Sequence, residues 1–69
     1  MIAVFCRYLR DFEELEPSPR KMFIRIRNIN DIRGCKFIGI IKSHDWFRGE
    51  DEMREAYDHL RVRQPELFD

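Results

Sequence analysis

The sequence predicts a small α+β fold in the order α-β-β-α, an antiparallel β-hairpin packed against two amphipathic helices. Three observations predict it. Apolar residues recur at helical spacing near the N-terminus, alternate with period two across residues 21–42, and return to helical spacing beyond residue 46. With 69 residues there is room for one domain and one modest core.

The first segment, about 3–16, reads as a helix. Val4, Phe5, Tyr8, Leu9, Phe12 and Leu15 gather on one face of a 3.6-residue wheel, opposite Arg7, Arg10, Asp11 and Glu14. Pro17 and Pro19 stop it, and Glu16-Pro17-Ser18-Pro19 forms a stiff connector. A competing reading makes Met1–Cys6 a strand, because Ile2, Val4 and Cys6 alternate. The longer helical pattern takes precedence. The hairpin spans about 21–42. Met22, Ile24 and Ile26 point one way, and Arg25 and Arg27 the other, as in a half-buried strand with a basic outer face. Cys35–Lys42 is richer in apolar residues on both faces, and Asn30-Asp31-Ile32-Arg33-Gly34 supplies the turn, with Gly34 able to take positive φ. The second helix, about 46–63, places Met53, Ala56, Tyr57 and Leu60 at i, i+3, i+4 and i+7. Acidic residues stand near its start, Arg61 and Arg63 near its end, and Pro65 beyond it. Residues 64–69 form a tail. A lone hairpin is marginal in water, so pairing with a second copy is one way to complete the sheet.

Composition narrows the function classes. Thirteen basic and thirteen acidic side chains cancel, which argues against a disordered polyelectrolyte. The apolar runs at 1–6 and 37–41 are too short to cross a bilayer, and Arg7 and Arg10 follow the apolar start instead of preceding it, unlike a secretory signal. A cytoplasmic location with no membrane partner is expected. Cys6 and Cys35 lack a CxxC partner or a His cluster and read as free, buried thiols.

No cofactor, metal or catalytic constellation is implied. His44-Asp45 could orient a base or hold an ion, but a third ligand is needed, and Asp45 reads better as a helix cap. Ser43 and His44 are chain neighbours, which is the wrong geometry for a nucleophile and its base, and no glycine-rich phosphate loop occurs. The charge is uneven. Residues 20–42 carry a net +6, flanked by segments of −2 and −4. Arg25, Arg27, Arg33 and Lys36 therefore form a candidate nucleic-acid surface on the hairpin, although overall neutrality removes long-range attraction to a polyanion.

The final residues Gln64-Pro65-Glu66-Leu67-Phe68 resemble the short peptides by which bacterial replication and repair proteins dock on the sliding clamp, with Gln64, Leu67 and Phe68 matching. Pro65 stands where such peptides usually carry Leu, and Glu66 where Ser or Asp is usual. The resemblance implies a mobile tail offering Leu67 and Phe68 to an apolar groove. The alternative has both residues folding back to finish a small core.

Six Phe, two Tyr and one Trp are more aromatic surface than so short a chain easily hides. The expectation is a non-enzymatic protein-binding module, a homodimer, that regulates or inhibits a cytoplasmic partner of unknown identity. Small domains of this composition are common among phage accessory and inhibitor proteins. Trp46, Phe47, Leu67 and Phe68 are the candidate protein-binding residues, with Trp46 the strongest candidate for an interface centre.

Overall fold

The computed structural model describes residues 1–16 and 19–68. The principal elements are strand β1 (Ile2–Phe5), helix α1 (Leu9–Glu13), strand β2 (Phe23–Arg25), strand β3 (Gly39–Lys42) and helix α2 (Asp51–Arg63). Short 3-10 turns at Ile29–Asp31, Trp46–Arg48 and Pro65–Leu67 fill the connections.

The three strands form one sheet in the order β2-β1-β3, and both pairings are parallel. This corrects the expected hairpin. Thirteen residues separate β2 from β3, far more than the two to five of a hairpin loop and enough for a crossover. The chain uses that length to pass from one edge of the sheet to the other. Between the two outer strands lies β1, the segment first read as helical. Its four residues, Ile-Ala-Val-Phe, bear no charge and are half-buried or buried throughout, as a central parallel strand requires. The N-terminal helix shrinks accordingly to the five residues of α1, none of them buried. The expected proline stop at Pro17 and part of the 16–19 connector lie outside the described residues.

Alternation assigns the two faces of the sheet. Rows such as Ile24-Ala3-Ile40 share a face, and the rows before and after them share the other. The Ala3 face carries the core. Ala3, Phe5 and Ile26 cluster with Met53, Ala56 and Leu60 of α2, all buried, with Ile24 and Ile40 packed alongside. The i, i+3, i+7 spacing read from the sequence is thus the face that α2 presents to the sheet. The helix starts at residue 51, because residues 46–48 form a separate 3-10 turn ending at Gly49. Arg54 holds the two pieces together. It donates to the Phe47 carbonyl at 2.6 Å and the Gly49 carbonyl at 3.1 Å, and forms an ion pair with Asp51.

The β2–β3 crossover is held by the other end of α2. Arg63 donates to the carbonyls of Ile32 and Cys35, each at 2.7 Å. Gln64 takes both backbone groups of Phe37: its Oε1 accepts from the N–H at 3.0 Å and its Nε2 donates to the carbonyl at 2.9 Å. Ile32 and Phe37 are the buried anchors of this segment. At its start Asn28 and Asp31 form a capping box, with Asn30 N–H donating to Asn28 Oδ1 at 2.9 Å and Asn28 N–H donating to Asp31 Oδ2 at 3.1 Å. Gly34 has φ of +73°, the left-handed conformation expected of it, but it turns a crossover and not a hairpin. Among the described residues no helix is long and apolar enough to cross a membrane.

Candidate functional site

Two clefts and one aromatic cluster draw in most of the residues singled out from the sequence. The aromatic cluster sits on the core face beside β3. The Tyr57 ring is its hub, 4.3 Å from Trp46, 5.2 Å from Phe5 and 5.0 Å from Phe68 between centroids, with the latter two edge-on. Lys42 caps it, its ammonium 5.7 Å from the Trp46 ring, 5.2 Å from the Tyr57 ring and 3.2 Å from the Tyr57 hydroxyl, to which it donates. Trp46 and Phe68, predicted as binding residues, are therefore half-buried components of the fold. Phe47 is different: it stays 51% exposed. Tyr57 had been read only as one of four residues on a helix face, and its i+4 placement after Met53 was the signal that it would meet the sheet.

The C-terminal tail folds back. Gln64 is only 5% exposed and saturated by Phe37, and Leu67 packs against the core beside Phe68. All three residues that resemble a clamp-docking peptide are thus engaged within this chain.

The four basic residues proposed for nucleic acid do not share a surface. Arg25 and Arg27, at the carboxyl end of β2, line one cleft, while Arg33 lines the other. Lys36 is exposed and lines neither. Helical spacing over residues 3–16 separates Arg7 from Arg25 and Arg27, because it hides the strand that Arg7 follows. The sheet register makes them neighbours.

The first cleft, about 350 Å³, lies beyond the carboxyl ends of β1 and β2. One wall carries Cys6, Arg7, Arg25, Arg27 and Asn28, and the other the start of α2 with Glu50, Glu52 and Met53. Arg25 donates to the Arg7 carbonyl at 3.4 Å, a long bond, and its Nε is buried without a hydrogen-bond partner. The second cleft, about 600 Å³, runs between α2 and the crossover turn. Ile29, Ile32 and Val62 line it, rimmed by Arg33, Asp58, His59 and Arg63. Val62 is 84% exposed there.

Asp45 occupies the N-cap position of the 46–48 turn without capping it by its side chain; it accepts from the Ser43 hydroxyl at 3.0 Å instead. His44 and His59 are both exposed and stand on different elements, the turn after β3 and helix α2. Both cysteines are free thiols.

Burial holds the Cys6 thiol above the ordinary thiol range, with a hydrogen bond and the charge of the Arg25 guanidinium pulling the other way. The folded chain therefore keeps this proton more tightly than the unfolded chain. Stability is intact below the unfolded thiol value, about 8.5, and declines as pH rises from there through the folded value. The thermal midpoint should fall more steeply at alkaline pH in the native sequence than in Cys6→Ala. Parallel pH profiles for the two proteins would contradict this assignment.

Comparison of the chain with protein-family models, with curated proteins and with solved structures gives no match.

Proposed function

We propose that this chain is a non-enzymatic, cytoplasmic protein-binding module that associates with a second copy of itself through the groove between α2 and the crossover turn, and regulates a macromolecular partner in that form. The observation that carries the reading is Val62. It is an aliphatic residue 84% exposed on an otherwise amphipathic helix, beside Ile29 in an apolar groove of about 600 Å³. Most of the aromatic excess noted in the sequence is absorbed by the chain's own packing, so the argument for association rests on this groove instead of on ring count.

The groove suits a copy of itself. Arg33 stands on the turn side and Asp58 on the helix side. A two-fold axis through the groove would set Arg33 of each copy against Asp58 of the other, around a centre formed by the two Val62 side chains. Such an isologous contact needs only one patch per chain. Opposite charges at its rim fix register while the apolar centre supplies the driving force.

Light scattering coupled to gel filtration tests this. The native chain should elute as a dimer and Val62→Glu as a monomer. Because Val62 is solvent-exposed in the single chain, the substitution should change monomer stability by no more than about 0.5 kcal/mol. A native chain that stays monomeric at its highest attainable concentration would overturn the reading.

Nucleic-acid binding is the second reading. The clustering of Arg25 and Arg27 with Arg7 in one cleft favours it, while the separation of Arg33 and Lys36 from that cleft weighs against it. Retention of an oligonucleotide at low salt, lost steeply as salt rises, is its signature.

A further inference from the structure

We infer that the cleft at the carboxyl ends of β1 and β2 binds a small oxyanion, a phosphate or a carboxylate, carried by a molecule about as large as a mononucleotide or smaller. This site lies on a different surface from the self-association groove and does not depend on it.

The argument begins with unmet charge. Arg7, Arg25 and Arg27 line one concavity, Arg7 with its guanidinium over the Tyr8 ring, and none of them forms an ion pair among the described residues, where the single ion pair joins Arg54 to Asp51. Grouping like charges around a shared space costs free energy unless something neutralises them. Glu50 and Glu52 face them across the cleft but lie beyond ion-pair distance, so they offset the charge only in part, and the Asp31 carboxylate is held by backbone donors. Its Oδ2 accepts from the backbone N–H groups of Arg27 at 2.8 Å and Asn28 at 3.1 Å.

Arg25 sharpens the inference. Its Nε–H is buried with no acceptor, although buried donors are almost always paired. The neighbouring Cys6 sulfur lies within hydrogen-bonding reach of the Arg25 guanidinium, but burial keeps it a thiol, which is only a weak acceptor. The fork of Nε and Nη is the arrangement that clasps two oxygens of a phosphate or carboxylate. An anion bound there would offset the repulsion between Arg25 and Arg27, and a turn of the Arg25 side chain, whose Nε is now shielded from solvent, would bring the orphaned donor to it.

The position also fits. Crevices outside the carboxyl ends of parallel strands are where open α/β sheets place ligands, and Arg25 pairs in register with Val4 at that end of the sheet. A cavity of about 350 Å³ is at the small end of ligand pockets. Glu50 and Glu52 on the opposite wall would repel the successive phosphates of a polyanion, so a compact ligand fits better than a nucleic-acid strand. They also offer acceptors to an amine or hydroxyl at the ligand's far end.

Nitrogen-15 NMR of the arginine side chains tests the site, with inorganic phosphate and acetate as separate titrants and chloride at matched ionic strength as the control. The Arg25 Nε–H signal is expected to shift saturably with at least one oxyanion and not with chloride, and the tighter titrant identifies the class. Arg25→Met, read at the Arg27 Nε–H signal, is expected to bind at least about tenfold more weakly, the loss of a charge-assisted bond. Without anion it should melt no lower than the native chain, since it removes an unmet donor. Should that variant fail to fold, Arg27→Ala, at an exposed position, carries the same expectation of weakened binding, read at the Arg25 Nε–H signal. No saturable shift with either oxyanion would overturn the inference. So would binding confined to an oligonucleotide, or shifts that survive in both variants.

Discussion

Replacing Phe5 with alanine is expected to leave most of the chain unfolded at room temperature. Phe5 is fully buried at the carboxyl end of the central strand, and its ring meets Trp46 at 6.0 Å and Tyr57 at 5.2 Å, both edge-on. Truncating a buried phenylalanine costs about 3–5 kcal/mol, transfer and cavity terms together. A single core in a chain this short supplies a net stability of roughly 3–5 kcal/mol. Loss and reserve are the same size. The consequences would spread, because the strand that loses its anchor is the one to which both other strands bond. Phe5→Leu keeps most of the volume and should cost less than about 1.5 kcal/mol. Urea unfolding followed by circular dichroism separates the two. A Phe5→Ala protein with a near-native midpoint would mean that β1 is not the centre of the sheet.

The second large effect is expected at Gln64. Changing it to leucine keeps the size of the side chain but leaves the Phe37 N–H and carbonyl without the partners they now have at 3.0 and 2.9 Å. Each buried group stripped of its partner costs on the order of 1–3 kcal/mol. Some is returned by the more apolar side chain, so the expected loss is about 2–4 kcal/mol. Gln64→Glu is a useful companion. It retains an acceptor for the N–H, loses the donor to the carbonyl, and buries a charge, so it should be at least as damaging near neutral pH. These outcomes bear directly on the tail. If Gln64 belonged to a mobile docking peptide, both substitutions would leave stability untouched.

How far the fold could be read from the sequence depended on whether the deciding interaction was local. Helix α2 was legible because its burial pattern repeats within one element: Met53, Ala56 and Leu60 are the buried residues, at the spacing that a sheet-facing helix must show. Strand β2 was legible as an extended segment, although Met22, read as facing inward, is 63% exposed and Arg25, read as facing outward, is half-buried, and Gly34 was legible because left-handed backbone favours glycine. Strand β1 was misread because two short elements imitate one long one. Val4 and Phe5 in the strand, and Tyr8, Leu9 and Phe12 in and beside α1, happen to fall at helical spacing, although Met1–Phe5 is a continuous apolar run of the kind that buried parallel strands carry. Pairing direction is not a local property at all. Alternation says that residues 22–26 are extended, but not which strand lies beside them. The connection length carried that information, and turn-forming residues within it drew the reading towards a hairpin.

The binding surfaces were legible to a smaller extent. The excess of basic residues in the middle of the chain was visible, and Arg25 and Arg27 do share a cleft, yet their companion Arg7 comes from β1's end and joins them only through the parallel register. Trp46 was singled out on composition, since Trp dominates interface centres. Composition does not reveal that Tyr57 and Lys42 would enclose it. Val62 attracted no notice, because one valine near a helix end is ordinary until the crossover turn is placed beside it.

Both proposed surfaces depend on Ile2–Phe5 standing between the other two strands. Backbone nuclear Overhauser contacts measure this directly. The account predicts contacts from Ile2–Phe5 to Phe23–Arg25 on one side and to Gly39–Lys42 on the other, and none between those two outer strands. Direct contacts between residues 22–26 and 37–41, accompanied by helical connectivities through residues 2–5, would contradict it.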